Sequence, residues 1–292
     1  MRKLFASFLI LTTVTSCNFS KSVKKDLISG LFTAGDGLSC EDVYLTANDE
    51  KITRTSYIYG EEFKVNFNGI EGFVKDNDYV FPGMKLAVLG KTGDTVMQTN
   101  DLYGDYPNGL KLPTLLLNSV LTVASPMESN GDYILHINIW DKKGKGKFNA
   151  KLNFKIVPNE KIAVEAVNVK YKEFYIFSKE RDMVLTGNTI KFNEDTYLIV
   201  EGLSGFREEN GKVFPGLSLK GTDSAGNVIL DYDDLFAEYD KTGMAVADLS
   251  GQVLSNFVLT GTEFKNPLHC ELTISDKKSD ARIKGTVDLV VE

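Results

Sequence analysis

Two histidines, three cysteines and forty acidic residues are the chain's stock of metal-ligating side chains. His136 and His269 each lie in an apolar, strand-like run in a different half of the sequence. A two-histidine metal site would need the halves to meet; ordinary strand residues are the better reading. HExxH and CxxC are absent, so the common zinc patterns have no support. GxSxG, GxGxxG and the Walker loop are absent as well, which removes the nucleophile elbow and the usual nucleotide signatures. A carboxylate pair for glycoside hydrolysis needs two acids flanking a sugar. With this many acids any fold brings two together, and nothing singles out a pair. Gly221–Leu235, "GTDSAGNVILDYDDL", collects oxygen ligands of the kind calcium takes: Asp223, Asn227, Asp231, Asp233 and Asp234. Its spacing fits no EF-hand, and a hairpin turn at Ala225-Gly226-Asn227 explains it better. The expectation is a protein with no catalytic residues, no metal and no cofactor.

Aromatic side chains offer a different chemistry, stacking. Trp140 is the only tryptophan. With Tyr57 and Tyr59 on a neighbouring strand it would make a platform for a sugar or a peptide. A tryptophan buried in the core or between domains is the competing reading. Tyr103 and Tyr106 recur as Phe236 and Tyr239, and a recurring pair suits packing.

The elements that would position these residues are strands. In "EFKVNFNG", Phe63, Val65 and Phe67 alternate with polar residues. "KFNAKLNFKIV" (from Lys147) and "RIKGTVDLVV" (from Arg282) alternate likewise. One apolar face and one wet face is the pattern of antiparallel sheets in a sandwich. Long helical periodicity is absent. The phrase "GFVKDNDYVFPGMKLAV" from Gly72 returns as "GFREENGKVFPGLSLKG" from Gly205, and "IWDKK" returns as "ISDKK". The chain therefore reads as all-β, two tandem antiparallel, immunoglobulin-like β-sandwiches related by duplication, 39–157 and 158–292. In "FPG", proline fixes φ and glycine tolerates positive φ, so Phe81-Pro82-Gly83 and Phe214-Pro215-Gly216 read as type II turns. On that reading Gly83→Ala and Gly216→Ala would each cost about 1 kcal/mol or more. Cys40 and Cys270 occupy non-equivalent positions; they either bridge the two domains or stay unpaired, with Cys270 in a strand.

The net charge is −7, with 42% apolar and 25% charged residues. That is globular composition. Nothing in it resembles the basic stripe that nucleic acid requires. At the start, "MRK" and the apolar run Leu4–Val14 form a signal-peptide core, too short to span a bilayer. "VTSC", Val14–Cys17, resembles the lipobox of bacterial lipoproteins. The resemblance implies cleavage after residue 16, acylation of Cys17, and anchoring in a lipid bilayer. Residues 17–38 then read as the lipidated cysteine and a tether. In outline the chain is similar to exported two-sandwich lipoproteins of the Bacteroidetes. Cys17 is followed by "NFSKSVKKD", without the acidic run associated in that group with the outer face, which implies a periplasm-facing position in a Gram-negative envelope. The function expected is a non-catalytic binding or interaction module for a protein or glycan. The alternative is a structural, fimbrial-type assembly subunit whose open strand edges accept a strand from a neighbour.

Overall fold

Alternation decides the inward faces. In Lys147–Val157 the side chains of Phe148, Ala150, Leu152, Phe154 and Ile156 are all buried, while the polar residues between them face outward. The computed structural model describes residues 21–292 apart from 27 and 112, so Cys17 and the signal segment lie outside the described residues. Among those described, strand pairing stays within 21–157 and within 162–291.

The first unit holds β1 (Lys21–Lys25), β2 (Phe32–Asp36), β3 (Ser39–Ala47), β4 (Glu50–Ile52), β5 (Ser56–Ile58) and β6 (Glu62–Glu71). It continues with β7 (Pro82–Gly90), β8 (Thr95–Gln98), β9 (Leu116–Thr122), β10 (Asp132–Asp141) and β11 (Lys147–Val157). One sheet runs β1-β2-β11-β10-β7-β8, with β5 parallel to β11; the other runs β4-β3-β6-β9. The second unit holds β12 (Ile162–Val167), β13 (Glu173–Ser178), β14 (Met183–Val184), β15 (Thr189–Ile190), β16 (Asp195–Glu201) and β17 (Lys212–Val213). After these come β18 (Pro215–Thr222), β19 (Val228–Tyr232), the helix α1 (Tyr239–Thr242) and β20 (Met244–Ala245). The helix α2 (Val246–Ser250) and β21 (Gln252–Val258), β22 (Leu268–Asp276) and β23 (Arg282–Val291) complete it. Its sheets repeat the plan: β12-β23-β22-β18-β19 with β15 parallel to β23, facing β14-β13-β16-β21. Each unit is a largely antiparallel β-sandwich around an apolar core, the first unit's core taking in Tyr175 and Ile199 from the second.

One difference from the sequence reading concerns the tether. Residues 21–36, expected as part of it, form the hairpin β1–β2, and β2 pairs with β11. The lysines of "KSVKK" masked the pattern because this edge strand is wet: Val23 is 68% exposed. Among the described residues the second sandwich has no counterpart of β1.

The "FPG" turns are also corrected. Pro82, Gly83, Pro215 and Gly216 lie in extended strands, Gly83 paired with Trp140 and Gly216 with Ser275, and neither glycine has positive φ. The turns fall earlier, at Asn77-Asp78 and Asn210-Gly211, all with φ between 49° and 77°. That is the type I′ geometry of two-residue hairpins. Gly83 is small for another reason: a Cβ there would sit 2.1 Å from the Trp140 indole, whereas at Gly216 the closest atom is the flexible Lys277 Cε at 3.1 Å. Gly83→Ala should therefore cost roughly 1–3 kcal/mol and Gly216→Ala under about 1. Equal shifts in melting temperature for the two variants would refute this packing account.

The rest of the repeated phrase is one network built twice. Asp101 accepts from the N–H of Met84 and Tyr103 and pairs with Lys142; Asp234 accepts from Leu217 and Phe236 and pairs with Lys277. The buried Asp141 caps Val74 N–H (2.7 Å) and Lys143 N–H, as Asp276 caps Arg207 N–H (2.7 Å) and Lys278 N–H. Lys143 lies 4.6 Å over Phe81 and Lys278 4.7 Å over Phe214. What both copies preserve is a clasp between neighbouring loops at one end of the sheet.

Candidate interaction surface

The stacking platform is not assembled. Trp140 sits at the end of β10, opposite Lys147, while Tyr57 pairs beside Ile156 at the far end of β11. Nine residues of extended strand separate those ends, on the order of 30 Å. Tyr57 is fully buried, stacked on Phe63 at 4.1 Å and edge-on to Phe154. It is core.

The polar candidates are also local. Asp223 accepts from Ala225 N–H (2.9 Å), Asn227 N–H (2.8 Å) and the Asn227 amide, which makes the expected hairpin turn. Asp231 and Asp233 are drawn to Lys220, and Asp234 to Lys277. His136 is half-buried on β10; His269 is exposed on β22 and contacts Asp288. Among the described residues no group of three metal-ligating side chains forms. Cys40 and Cys270 are both free and buried, with burial pushing their thiols up to about 11 and about 12.

Tyr59 leads somewhere the sequence did not show: the seam between the sandwiches. Its ring lies 5.4 Å from Tyr175, and its hydroxyl accepts from Ser125 N–H (3.1 Å) and donates to Glu201 (3.4 Å). Tyr175 donates to the same carboxylate at 2.6 Å, and the Gln252 amide reaches it at 2.7 Å. Beside them Glu173, only 3% exposed, accepts from Ser129 N–H and Ser129 Oγ. Tyr175 and Ile199 belong to the apolar core of the first sandwich, and Gly60 fits tightly against Val184. The joint is interlocked, with the Gln252 end of its polar network open to solvent.

Burial raises the Glu173 carboxyl above its ordinary value despite the two bonds from Ser129, and pushes the Tyr59 hydroxyl up to about 12. A raised folded value means the ionised form is disfavoured in the joint. Glu173 therefore costs stability above its folded pKa, and that cost vanishes as pH falls toward 4.5. The melting temperature of the native protein relative to Glu173→Gln should rise between pH 7 and pH 5. A constant difference would show that Glu173 is solvated.

One concavity belongs to the first sandwich alone, and a second spans the seam. An open depression of ≈ 550 Å³ lies over Tyr133 and Phe154, but its rim is self-paired, with Asp132 between Lys91 and Lys155. The second, of ≈ 240 Å³, is lined by Ser129 and Asn130 from one sandwich and by Ile162, Val164, Tyr171 and Phe174 from the other. Tyr171 is 37% exposed at its rim. The groove runs beside the outer edge of β12, whose backbone from Ala163 to Val167 has no hydrogen-bond partner other than β23 among the described residues. A groove of mixed lining, with Asn159, Lys172 and Glu173 beside Ile162, Val164 and Phe174, can hold an extended segment alongside an open edge: main-chain bonds supply affinity and the groove takes alternate side chains.

No protein-family model matches the chain, and a search of curated proteins gives no match. Among solved structures, the C-terminal domain of wzt aligns at 11% identity and a TM-score of 0.32 over 47% of this chain and 78% of its own. The fibronectin(III)-like modules of Clostridium thermocellum CbhA align at 11% and 0.20 over 85% and 94%. pT26-6p aligns at 8% and 0.28 over 90% of this chain and 64% of its own.

Proposed function

We propose that the chain is a membrane-anchored envelope lipoprotein that acts as a non-catalytic interaction module, held to the bilayer by acylated Cys17. Its partner is a protein that presents an extended segment to the groove between Tyr171 and β12. The observation that carries this reading is the open, groove-lined edge of β12 in a chain whose other candidate polar sites are satisfied internally. The same edge supports a second reading, an assembly subunit of the envelope. No helix among the described residues is long and apolar enough to cross a membrane, so the anchor rests on the lipobox.

Two measurements test the proposal. Cys17→Ser should move the protein from the membrane fraction to the soluble fraction and abolish labelling by a radioactive fatty acid. Unchanged fractionation would overturn the anchor. A photo-cross-linking amino acid at position 171 should give adducts in intact envelopes that the same group at Tyr232, exposed on β19, does not. Equal or absent adducts would overturn the groove as the recognition surface.

A further inference from the structure

The duplication supplies its own experiment. In the first sandwich the edge strand β2 is covered by β1 in five-residue antiparallel register, Lys21↔Asp36 to Lys25↔Phe32. In the second sandwich the equivalent strand β12 carries no further strand among the described residues. The equivalence is exact in register. Ala150 pairs with Thr33 and with Ile137; Gly285 pairs with Val164 and with Leu272. Thr33 therefore corresponds to Val164, Ala34 to Glu165 and Gly35 to Ala166.

We propose, building on the groove as the recognition surface, that the occupant of the β12 edge is β1 of a second copy of this chain. Transferring the register of the first sandwich sets Lys25 opposite Ala163, Lys24 opposite Val164, Val23 opposite Glu165 and Ser22 opposite Ala166. Charge distinguishes the two edges. At home, Val23 faces the neutral Ala34; on β12 the same position is Glu165, exposed and without an ion-pair partner among the described residues. Lys25 would become its diagonal neighbour on the same face, close enough for a long side chain. The home contact is a light one. Lys24 and Lys25 are exposed, and the loop after β1 carries Ile28 at 78% exposure. β1 can therefore leave β2 with little loss of buried apolar area. The contact is head-to-tail, from the first sandwich of one copy to the second sandwich of the next, so it builds a ring where the rotation between copies closes and an open row where it does not.

The test mixes two full-length variants, Ser22→Cys and isotopically labelled Ala166→Cys, under mild oxidation, and identifies the cross-linked peptides by mass. These positions face each other in the transferred register and leave the lysines and Glu165 intact. The expected result is a disulfide between position 22 of one copy and position 166 of the other. It should increase with protein concentration and fall at least about fivefold when Glu165→Lys is added to the second variant. If the product does not exceed that of Ser22→Cys mixed with Val228→Cys, on the opposite edge of the same sheet, the proposal is overturned. Adducts from position 171 to another protein, with no 22–166 product, would overturn this partner while leaving the groove as a recognition surface. Loss of both would overturn both.

Discussion

Gly72→Ala and Gly205→Ala should each lower the stability of the protein by about 3–4 kcal/mol, the largest loss expected from removing no contact at all. Gly72 has φ +97° and Gly205 φ +106°, backbone that an L side chain adopts only under strain of roughly 1–3 kcal/mol. Space is the second charge against alanine. A Cβ on Gly72 would stand 2.2 Å from the carbonyl oxygen of Gly37, and one on Gly205 2.5 Å from that of Asn168. Both obstacles are backbone, so relief requires the chain joining β2 to β3, or β12 to β13, to move. Overpacking of that kind adds roughly 1–3 kcal/mol. Thermal melts should fall on the order of 10 °C for either variant. Gly187→Ala is the control, since its added Cβ meets nothing within 4 Å and its φ is not positive. If all three melt together, the close approach at the strand crossover is not real.

Arg181→Met should cost about 3 kcal/mol, because it strands a buried charge. Glu194 is 4% exposed and receives the Arg181 guanidinium through Nε and Nη2, the Lys191 N–H at 2.7 Å and the Ser178 hydroxyl. Burial pushes its carboxyl up, and the bonds from Arg181, Ser178 and Lys191 outweigh burial and hold it below the ordinary range. A depressed folded value gives stability that is fully present above about pH 4.5 and lost as pH falls through the folded pKa. Without Arg181 only the bonds from Ser178 and Lys191 oppose the burial cost, and the carboxyl gains more from protonation. The gap between native protein and variant in urea melts should therefore narrow from pH 7 to pH 4. Adding Glu194→Gln to Arg181→Met should recover part of the loss. A gap independent of pH would mean that Glu194 is not charged in the folded state.

The first sandwich has the same device in a form that sequence comparison hides. Glu61, the counterpart of Glu194, takes Ile58 N–H at 3.0 Å and the guanidinium of Arg54. The two glutamates align in the repeat, and the N–H three residues before each aligns as well. The arginines do not: one precedes its glutamate by seven residues and the other by thirteen. Alternation of Phe148 to Ile156 could be read directly, because burial on one face of a strand follows a period of two. The recurrence of Phe81 and Phe214 was also visible, but its cause was not. Proline's φ suits an extended strand as well as a turn, and only the register with Trp140 and Ser275 decides between them. Asn210-Gly211 carried the real hairpin signal. The seam could not be read at all, since Tyr59 and Glu201 meet only after both sandwiches have formed, and no local pattern marks such a pair.

That seam bears on how the protein reaches its folded state. Tyr175 and Ile199 fill the core of the first sandwich, yet they belong to strands of the second. A chain emerging from its N-terminus can pair β1 through β11 and still lack two of the residues that close its interior. Until β13 and β16 arrive, the first sandwich carries an apolar facet open to any other surface, including that of a sibling chain at the same stage. That facet stays uncovered until β13 and β16 fold against it. Closing it requires the last half of the molecule, not the first.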